Sequence, residues 1–487
     1  MNFSWGTPVF QMSRWSWSPM KTNLYAVALT LASLFYSATA LTAAPAAGPL
    51  RVHPANPRYF ADGTMNADGS LKAVYLTGSH HWNNLQDSAR LGEPLSKKFD
   101  YDGYLRLLTS LNHNYSRLWS WEVGENDLYY DPAPWVRTGP GTGSDGKAKF
   151  DLKQFNREYF ERLRSRVIAA GDKGIYVGVM LFQGWSIYSH GYGNRWPVHP
   201  FNEANNINRI NGDLDKDGEG REVHSLQVPA ITRLQEAYVR QVVDTLNDLD
   251  NVLYEITNES AILSKEWQYY MVRYVKEYQA TKPKQHCVGM TAFDSGRAGS
   301  MKALLDGPAD WISPQNDGTS GDYRNDPPAA DGRKVILSDT DHLWGVGGDR
   351  VWVWKSFARG HHPIYMDPLS RQDWVRASEA DMQGARKTMG DTRRLADRMN
   401  LAAMTPHSEL SSSRYCLADP IREYLVYLPD GDEVTVDLSA ASGVLAVEWL
   451  DPRSGDATQA QSTSGGQKRL FKSPFDGDAV LYLWRQE

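Results

Sequence analysis

The sequence predicts an α/β protein: a (β/α)8 TIM barrel followed by a small C-terminal β-sandwich. Three observations predict it. From about residue 50 to 400, strand-like and helix-like segments alternate. The strand-like segments are apolar almost throughout, as parallel strands buried on both faces are. After Pro406 the helical spacing stops, and short strands separated by turn residues take over. A doubly wound open sheet is the alternative, but no Gly-rich phosphate loop follows the first strand.

Taken in order, Lys21 precedes the apolar run from Leu24 to Phe35, and Ala38-Thr39-Ala40 is a small-x-small cleavage site. Residues 1–40 are therefore read as a secretory signal peptide with its leader. The run is too short to span a bilayer comfortably, so the processed chain is expected to be secreted or periplasmic and free of the membrane.

Residues 41–406 are assigned to the barrel. Ala73–Gly78 reads as strand one, and Phe99–Leu111 follows at helical spacing. Tyr115–Trp119 is strand two. Asp151 is the expected cap of a helix with the apolar face Phe155, Tyr159, Leu163 and Val167. Ile175–Phe182 is strand three, Asn251–Glu259 strand four, Gln285–Thr291 strand five and Asp310–Ser313 a short strand six. Lys334–Asp339 is strand seven and Pro363–Asp367 strand eight. Helices are expected at Ile231–Leu249, Lys265–Gln279, Arg350–Phe357 and Ser378–Met399. Gln183–Pro229 is too long for an ordinary connection and is expected over the C-terminal face of strand three. Residues 407–487 are assigned to the β-sandwich, from six strands beginning at Arg414–Leu417 and ending at Ala479–Trp484.

A net charge of −6 and the lack of a basic run argue against nucleic-acid binding. The chain is rich in aromatic residues, with 17 Trp and 25 Tyr. Flat rings pack well on the C–H faces of sugars, although most of these rings are expected in the core. The two cysteines, Cys287 and Cys416, fall in different predicted domains and form no disulfide framework.

Glycoside hydrolysis needs two carboxylates across the scissile bond. Strand four ends in Asn258-Glu259, and strand seven in Asp339-Thr340-Asp341. With these motifs the chain resembles a clan A glycoside hydrolase, the large group of retaining (β/α)8 enzymes that includes apiosidase-like and cellulase-like members. The resemblance implies that Glu259 in Tyr254-Glu255-Ile256-Thr257-Asn258-Glu259 is the acid/base. It implies that the strand-seven carboxylate is the nucleophile, that Arg117 contacts it, and that Asn258 binds the sugar 2-hydroxyl. The group usually places Glu where this chain has Asp339. The strand end favours Asp339, and Asp341 two residues on is the alternative. Trp449-Leu450-Asp451-Pro452-Arg453 resembles the module named Putative collagen-binding domain of a collagenase, which commonly trails apiosidase-like members.

His80, His81, Trp82, Trp119, Trp121, Glu122, Gln183, Trp185, Asn316, His342, Trp344 and Asp367 follow or end strands and are expected to line a carbohydrate cleft. The reaction is expected to require no cofactor. Asp213-Leu214-Asp215-Lys216-Asp217-Gly218 looks like the start of a calcium loop, which makes Asp213, Asp215 and Asp217 candidate Ca2+ ligands. His224 stands where the bidentate Glu belongs, and this favours a solvated turn. Two other functions stay open. One is a carbohydrate-binding barrel without activity, which the Asp-for-Glu exchange keeps alive. The other is a metal-dependent amidohydrolase, which needs His-x-His on strand one, whereas adjacent His80 and His81 point to opposite faces.

Overall fold

The computed structural model describes residues 44–124, 127–188, 194–293, 299–370, 375 and 377–485. The predicted leader, residues 1–40, lies outside them.

Eight strands form the barrel: β1 (Gly78–His80), β2 (Tyr115–Leu118), β3 (Tyr176–Gln183), β4 (Val252–Asn258), β5 (Val288–Met290), β6 (Trp311–Ile312), β7 (Val335–Asp339) and β8 (His362–Met366). They pair in parallel in the order β1-β8-β7-β6-β5-β4-β3-β2. Asn114 and Thr77 join the ends of this sheet. The Asn114 N–H donates to the Thr77 carbonyl at 3.0 Å, and the Thr77 N–H donates to Asn114 Oδ1 at 2.9 Å. Every residue of β3 and β4 is buried, which is why β3 reads as a nearly continuous apolar run and β4 as one interrupted by Glu255. Gly178 in β3 leaves room for β2, since a Cβ there would stand 2.0 Å from the Tyr115 hydroxyl.

The described α-helices longer than one turn are α1 (Tyr101–Ser110), α2 (Arg157–Gly171), α3 (Pro229–Leu246), α4 (Lys265–Gln279), α5 (Ser300–Asp306), α6 (Arg350–Ala358) and α7 (Glu379–Ala396). The cap of α2 differs from the expectation. Asn156 accepts from the Glu158 N–H, whereas Asp151 lies in the strand Ala148–Phe155 and accepts from the Lys153 N–H. Strand one is also displaced, because Val74 bridges Phe60 in antiparallel fashion and leaves Gly78–His80 to pair with β8. Among the described residues no helix forms between β6 and β7, and residues 313–334 run as an irregular loop.

The loops beyond β1 and β2 carry two small antiparallel sheets. Asp87–Arg90 pairs with Leu128–Asp131, and Trp135–Thr142 pairs with Ala148–Phe155.

Past the barrel come β9 (Thr405–Pro406), β10 (Cys416–Asp419), β11 (Glu423–Leu428), β12 (Glu433–Asp437), β13 (Val444–Leu450), β14 (Ala457–Ser464), β15 (Lys468–Lys472) and β16 (Ala479–Arg485). Six of them form one antiparallel sheet, and β12 and β15 form another. Val434 and Val436 of the small sheet pack with Val426, Val447 and Leu481 of the large one, so the two layers share one core. The large sheet's opposite face packs Leu417, Leu425 and Tyr427 against Trp354 and Phe357 of α6 and Leu395 of α7. Arg350 Nη2 lies 2.7 Å from Asp478, and Arg398 Nη1 2.8 Å from Glu448, so ion pairs flank that apolar contact. Cys287 and Cys416 are both buried free thiols. No described helix is long and apolar enough to cross a membrane.

Candidate active site

Arg117 organises the C-terminal mouth of the barrel. It ends the run Tyr115-Ser116-Arg117 of β2, where alternation turns its side chain inward. Its guanidinium is buried and donates four hydrogen bonds to the oxygens of three residues. Nε donates to Glu255 Oε2 at 2.6 Å, and Nη2 donates to Glu255 Oε1 at 2.5 Å. Nη2 also donates to Asn258 Oδ1 at 2.6 Å, and Nη1 to Asp341 Oδ2 at 2.8 Å. Asp339 is further away, with Oδ2 3.7 Å from Nη1. A planar fork with five donors is the group that serves such a site, and lysine could not replace it.

Three carboxylates around one cation are electrostatically crowded. Burial pushes the Glu255 carboxyl up, Arg117 pulls it back, and the charges of Asp339 and Asp341 push it up again. Asp339 moves the other way. Burial opposes its charge, but the His80 imidazole facing it and the Arg117 guanidinium hold it well below the usual carboxylate range. His80 Nε2 lies 2.9 Å from Asp339. The Trp119 indole N–H donates to His80 Nδ1 at 2.8 Å, and an indole nitrogen only donates. The ring proton of His80 therefore sits on Nε2 and points at Asp339.

The two strand-seven aspartates occupy different places. Asp339 Oδ1 accepts the Asp341 N–H at 3.0 Å, capping the short turn Thr340–His342. That turn carries Asp341 past the strand end into a cleft of about 1500 Å³, which Asn258, Glu259 and Asp341 line together. Trp82, Trp119, Trp121, Trp185 and Trp344 also wall this cleft. Trp119 and Trp121 stack with centroids 5.4 Å apart, and Trp121 stacks on Tyr130 at 4.3 Å.

Asn258 is fixed by its oxygen, which also accepts from His342 Nε2 at 2.9 Å. His342 Nδ1 in turn meets the Ser313 hydroxyl at 2.6 Å. Burial lowers the pKa of His342 to about 4, so the ring stays neutral and keeps this single-donor arrangement. With Oδ1 doubly occupied, the Asn258 amide NH2 is the group available to the cleft. Glu259 adopts a left-handed backbone with φ 46°, a conformation uncommon for a non-glycine residue.

Several expected cleft residues do other work. His81 stacks on Trp82 at 4.3 Å and tilts against Phe99 at 5.1 Å, and burial lowers its pKa to about 4. It parts from His80, as adjacent strand residues must, so the two do not assemble the amidohydrolase ligand pair. Glu122 is buried beneath the long insertion, where Oε2 accepts the Gln183 N–H at 3.0 Å and faces His224 Nε2 at 2.9 Å. The Gln183 side chain is spent on Ser186. Asn316 folds the 313–334 loop by donating to Asp322 and accepting the Tyr323 N–H. Asp367 is buried in an ion pair with Arg386 of α7.

The Asp-rich loop also differs from the expected ligand set. Asp213, Asp215 and Glu222 bring one oxygen each within 4.8 Å of one another. Asp217 instead caps the Glu219 N–H at 2.8 Å. The EF-hand spacing had pointed past Glu222 to His224, which is committed to Glu122.

Sequence reasoning missed Glu255, Ser313 and His224. Glu255 left a signal, since a charged residue in the middle of an apolar strand requires a buried partner.

A family profile described as a domain of unknown function, DUF6298, matches residues 124–296, and one described as Putative collagen-binding domain of a collagenase matches residues 407–483. A search of the curated proteins finds no match. Among solved structures, one titled "Glycoside hydrolase" is 14% identical, covers 90% of this chain and 97% of its own, and superposes with a TM-score of 0.56. A glycoside hydrolase family 5 structure from Bacteroides vulgatus is 13% identical, covers 91% and 95% respectively, and has a TM-score of 0.59. At this identity the likeness is one of fold.

Proposed function

We propose that this protein is a retaining glycoside hydrolase acting on an oligosaccharide or polysaccharide outside the cytoplasm. The observation that carries this reading is that Glu259, Asn258 and Asp341 line a single tryptophan-walled cleft at the ends of β4 and β7. Glu259 is assigned as acid/base. Asp341 is assigned as nucleophile in place of the strand-end Asp339, because it lines the cleft and takes the direct Arg117 hydrogen bond. A nucleophile two residues beyond the strand end also offsets the missing methylene of Asp relative to Glu.

In this mechanism a sugar stacks on the tryptophans, and the Asn258 NH2 donates to its 2-hydroxyl. Asp341 attacks the anomeric carbon while Glu259 protonates the leaving oxygen. Water then releases the glycosyl-enzyme with Glu259 as base. Asp339, held ionised by His80 and Arg117, keeps Arg117 and the turn in register. No cofactor takes part. A structural Ca2+ is proposed at Asp213, Asp215 and Glu222, away from the chemistry.

Hydrolysis should be screened across cello-, manno-, xylo- and arabino-oligosaccharides, with proton NMR of the first-formed sugar. Retention of anomeric configuration is expected. First appearance of the inverted anomer would overturn the double displacement, and no cleavage of any glycan would favour the inactive binding barrel.

A further inference from the structure

The β-domain meets the support of the cleft at Tyr415. Tyr415, just before β10, is buried, and its hydroxyl donates to Asp326 Oδ1 at 2.8 Å. Arg359, which follows α6, donates to the same oxygen at 3.2 Å and lies 4.7 Å from the centre of the Tyr415 ring. Asp326 closes a tight turn by donating its N–H to the Asp322 carbonyl at 3.0 Å. Inside the turn, Asp322 Oδ1 accepts the N–H groups of Arg324 and Asn325 at 3.1 Å each. Lys355 pins the turn from below, donating to the Asn325 carbonyl at 2.8 Å while lying 5.3 Å from the Tyr415 ring centre.

The residues so held are part of the cleft. Arg324 and Asn325 line it with Trp344, and the Arg324 guanidinium lies 5.9 Å from the Trp344 ring centre. Trp344 is 37% exposed, so its ring is open for stacking. Its other support is an edge contact with Trp352 at 5.5 Å, and Trp352 Nε1 donates to the carbonyl of Tyr323 in the same turn.

We infer that the β-domain is a positioning element for the glycan cleft: Tyr415, through Asp326, holds the 322–326 turn so that Arg324 and Trp344 form a sugar-stacking platform. This rests on the reading that the cleft takes a glycan. A loop of 22 residues between β6 and β7 has no helix to stiffen it, and the β-domain supplies an anchor beside those from α6. A long glycan uses the platform as well as the reacting-sugar site, whereas an aryl monoglycoside uses the reacting-sugar site alone. Losing the anchor therefore costs binding of long chains and leaves the chemistry in place.

The test compares full-length wild type with Tyr415→Phe, Asp326→Asn and Arg398→Met, the last breaking a different contact of the β-domain with the barrel. The first readout is hydrogen–deuterium exchange in segments 322–326 and 343–349, which needs no substrate. Faster exchange in both segments is expected for Tyr415→Phe and Asp326→Asn, and not for Arg398→Met. The second readout uses whichever hexasaccharide among cellohexaose, mannohexaose and xylohexaose the wild type cleaves fastest, together with the 4-nitrophenyl glycoside of that sugar. KM for the hexasaccharide should rise roughly three- to ten-fold with kcat and aryl-glycoside kinetics unchanged. Unchanged exchange in both segments, or an equal change on both substrates, would overturn the inference. If the wild type cleaves none of the glycans, the hydrolase reading fails and the exchange readout alone decides.

Discussion

Asp341 holds its carboxylate 2.8 Å from Arg117 Nη1, while neighbouring Asp339 stands off at 3.7 Å and turns to His80. If the nearer aspartate is the nucleophile, Asp341→Gly removes the covalent step, with a loss in turnover of about four orders of magnitude or more. Added azide should then restore cleavage of an activated aryl glycoside and give a glycosyl azide of inverted configuration. Azide rescue of Asp339→Gly but not of Asp341→Gly would return the role to the strand-end residue.

The barrel was legible because its strands are apolar runs between amphipathic helices, and β4 and β7 carried their carboxylates where the pattern put them. What stayed hidden was geometry that alternation does not encode. Asp339 and Asp341 share a strand face on paper, but the turn at Thr340 separates their environments. Strand β14 was invisible because Ala457–Ser464 is an exposed polar edge with no alternation to read. Glu122 and His224 are 102 residues apart, and only folding of the insertion brings them together.

Removing one side of the buried Arg117–Glu255 pair strands a charge. Arg117→Met is expected to lower unfolding free energy by about 3–5 kcal/mol, read from urea titration. Arg117→Met with Glu255→Leu should recover part of that loss while remaining inactive. A double variant less stable than either single one would contradict the pairing.

His362 links stability to acid. The Leu76 N–H donates to its Nδ1 at 2.9 Å with the Leu76 carbonyl 3.2 Å away, and Nε2 meets the Arg58 carbonyl at 3.0 Å, so it is full burial rather than a missing acceptor that opposes a second proton. Burial lowers its pKa to about 4 from an unfolded value near 6.5. Because the folded value is the lower one, the contribution is complete above about pH 6.5 and is lost as pH falls towards 4. The urea midpoint should therefore fall between pH 7 and 4.5, and His362→Gln should flatten that slope. An unaltered slope in a folded variant would exclude His362 as a source.

Calcium binding separates the ligand set assigned by geometry from the one suggested by spacing. Calorimetry should show Ca2+ binding that Glu222→Gln weakens by tenfold or more, about 1.4 kcal/mol, and that Asp217→Asn leaves nearly unchanged. The Tm should rise with Ca2+ and fall with chelator, as for any ligand that binds the folded state alone. Loss in Asp217→Asn alone would restore the EF-hand-like register, and no heat in the wild type would make the loop a solvated turn.

The acid/base assignment makes the most demanding prediction, because it depends on the substrate as well as on the residue. Glu259 lines the cleft beside Asn258, on a left-handed backbone just past the end of β4. If it protonates the leaving oxygen, its importance scales with how poor the leaving group is. Glu259→Gln keeps the shape and removes the transferable proton. On a natural oligosaccharide, whose leaving sugar is strongly basic, turnover should fall by about three orders of magnitude or more. On a 2,4-dinitrophenyl glycoside, whose leaving group needs no proton, glycosylation should be nearly normal. Deglycosylation still lacks its base, so the intermediate should accumulate as a burst of dinitrophenol followed by a slow steady state that azide accelerates. Equal losses on both substrates, with no burst, would mean that Glu259 only shapes the cleft and that the proton donor is another residue.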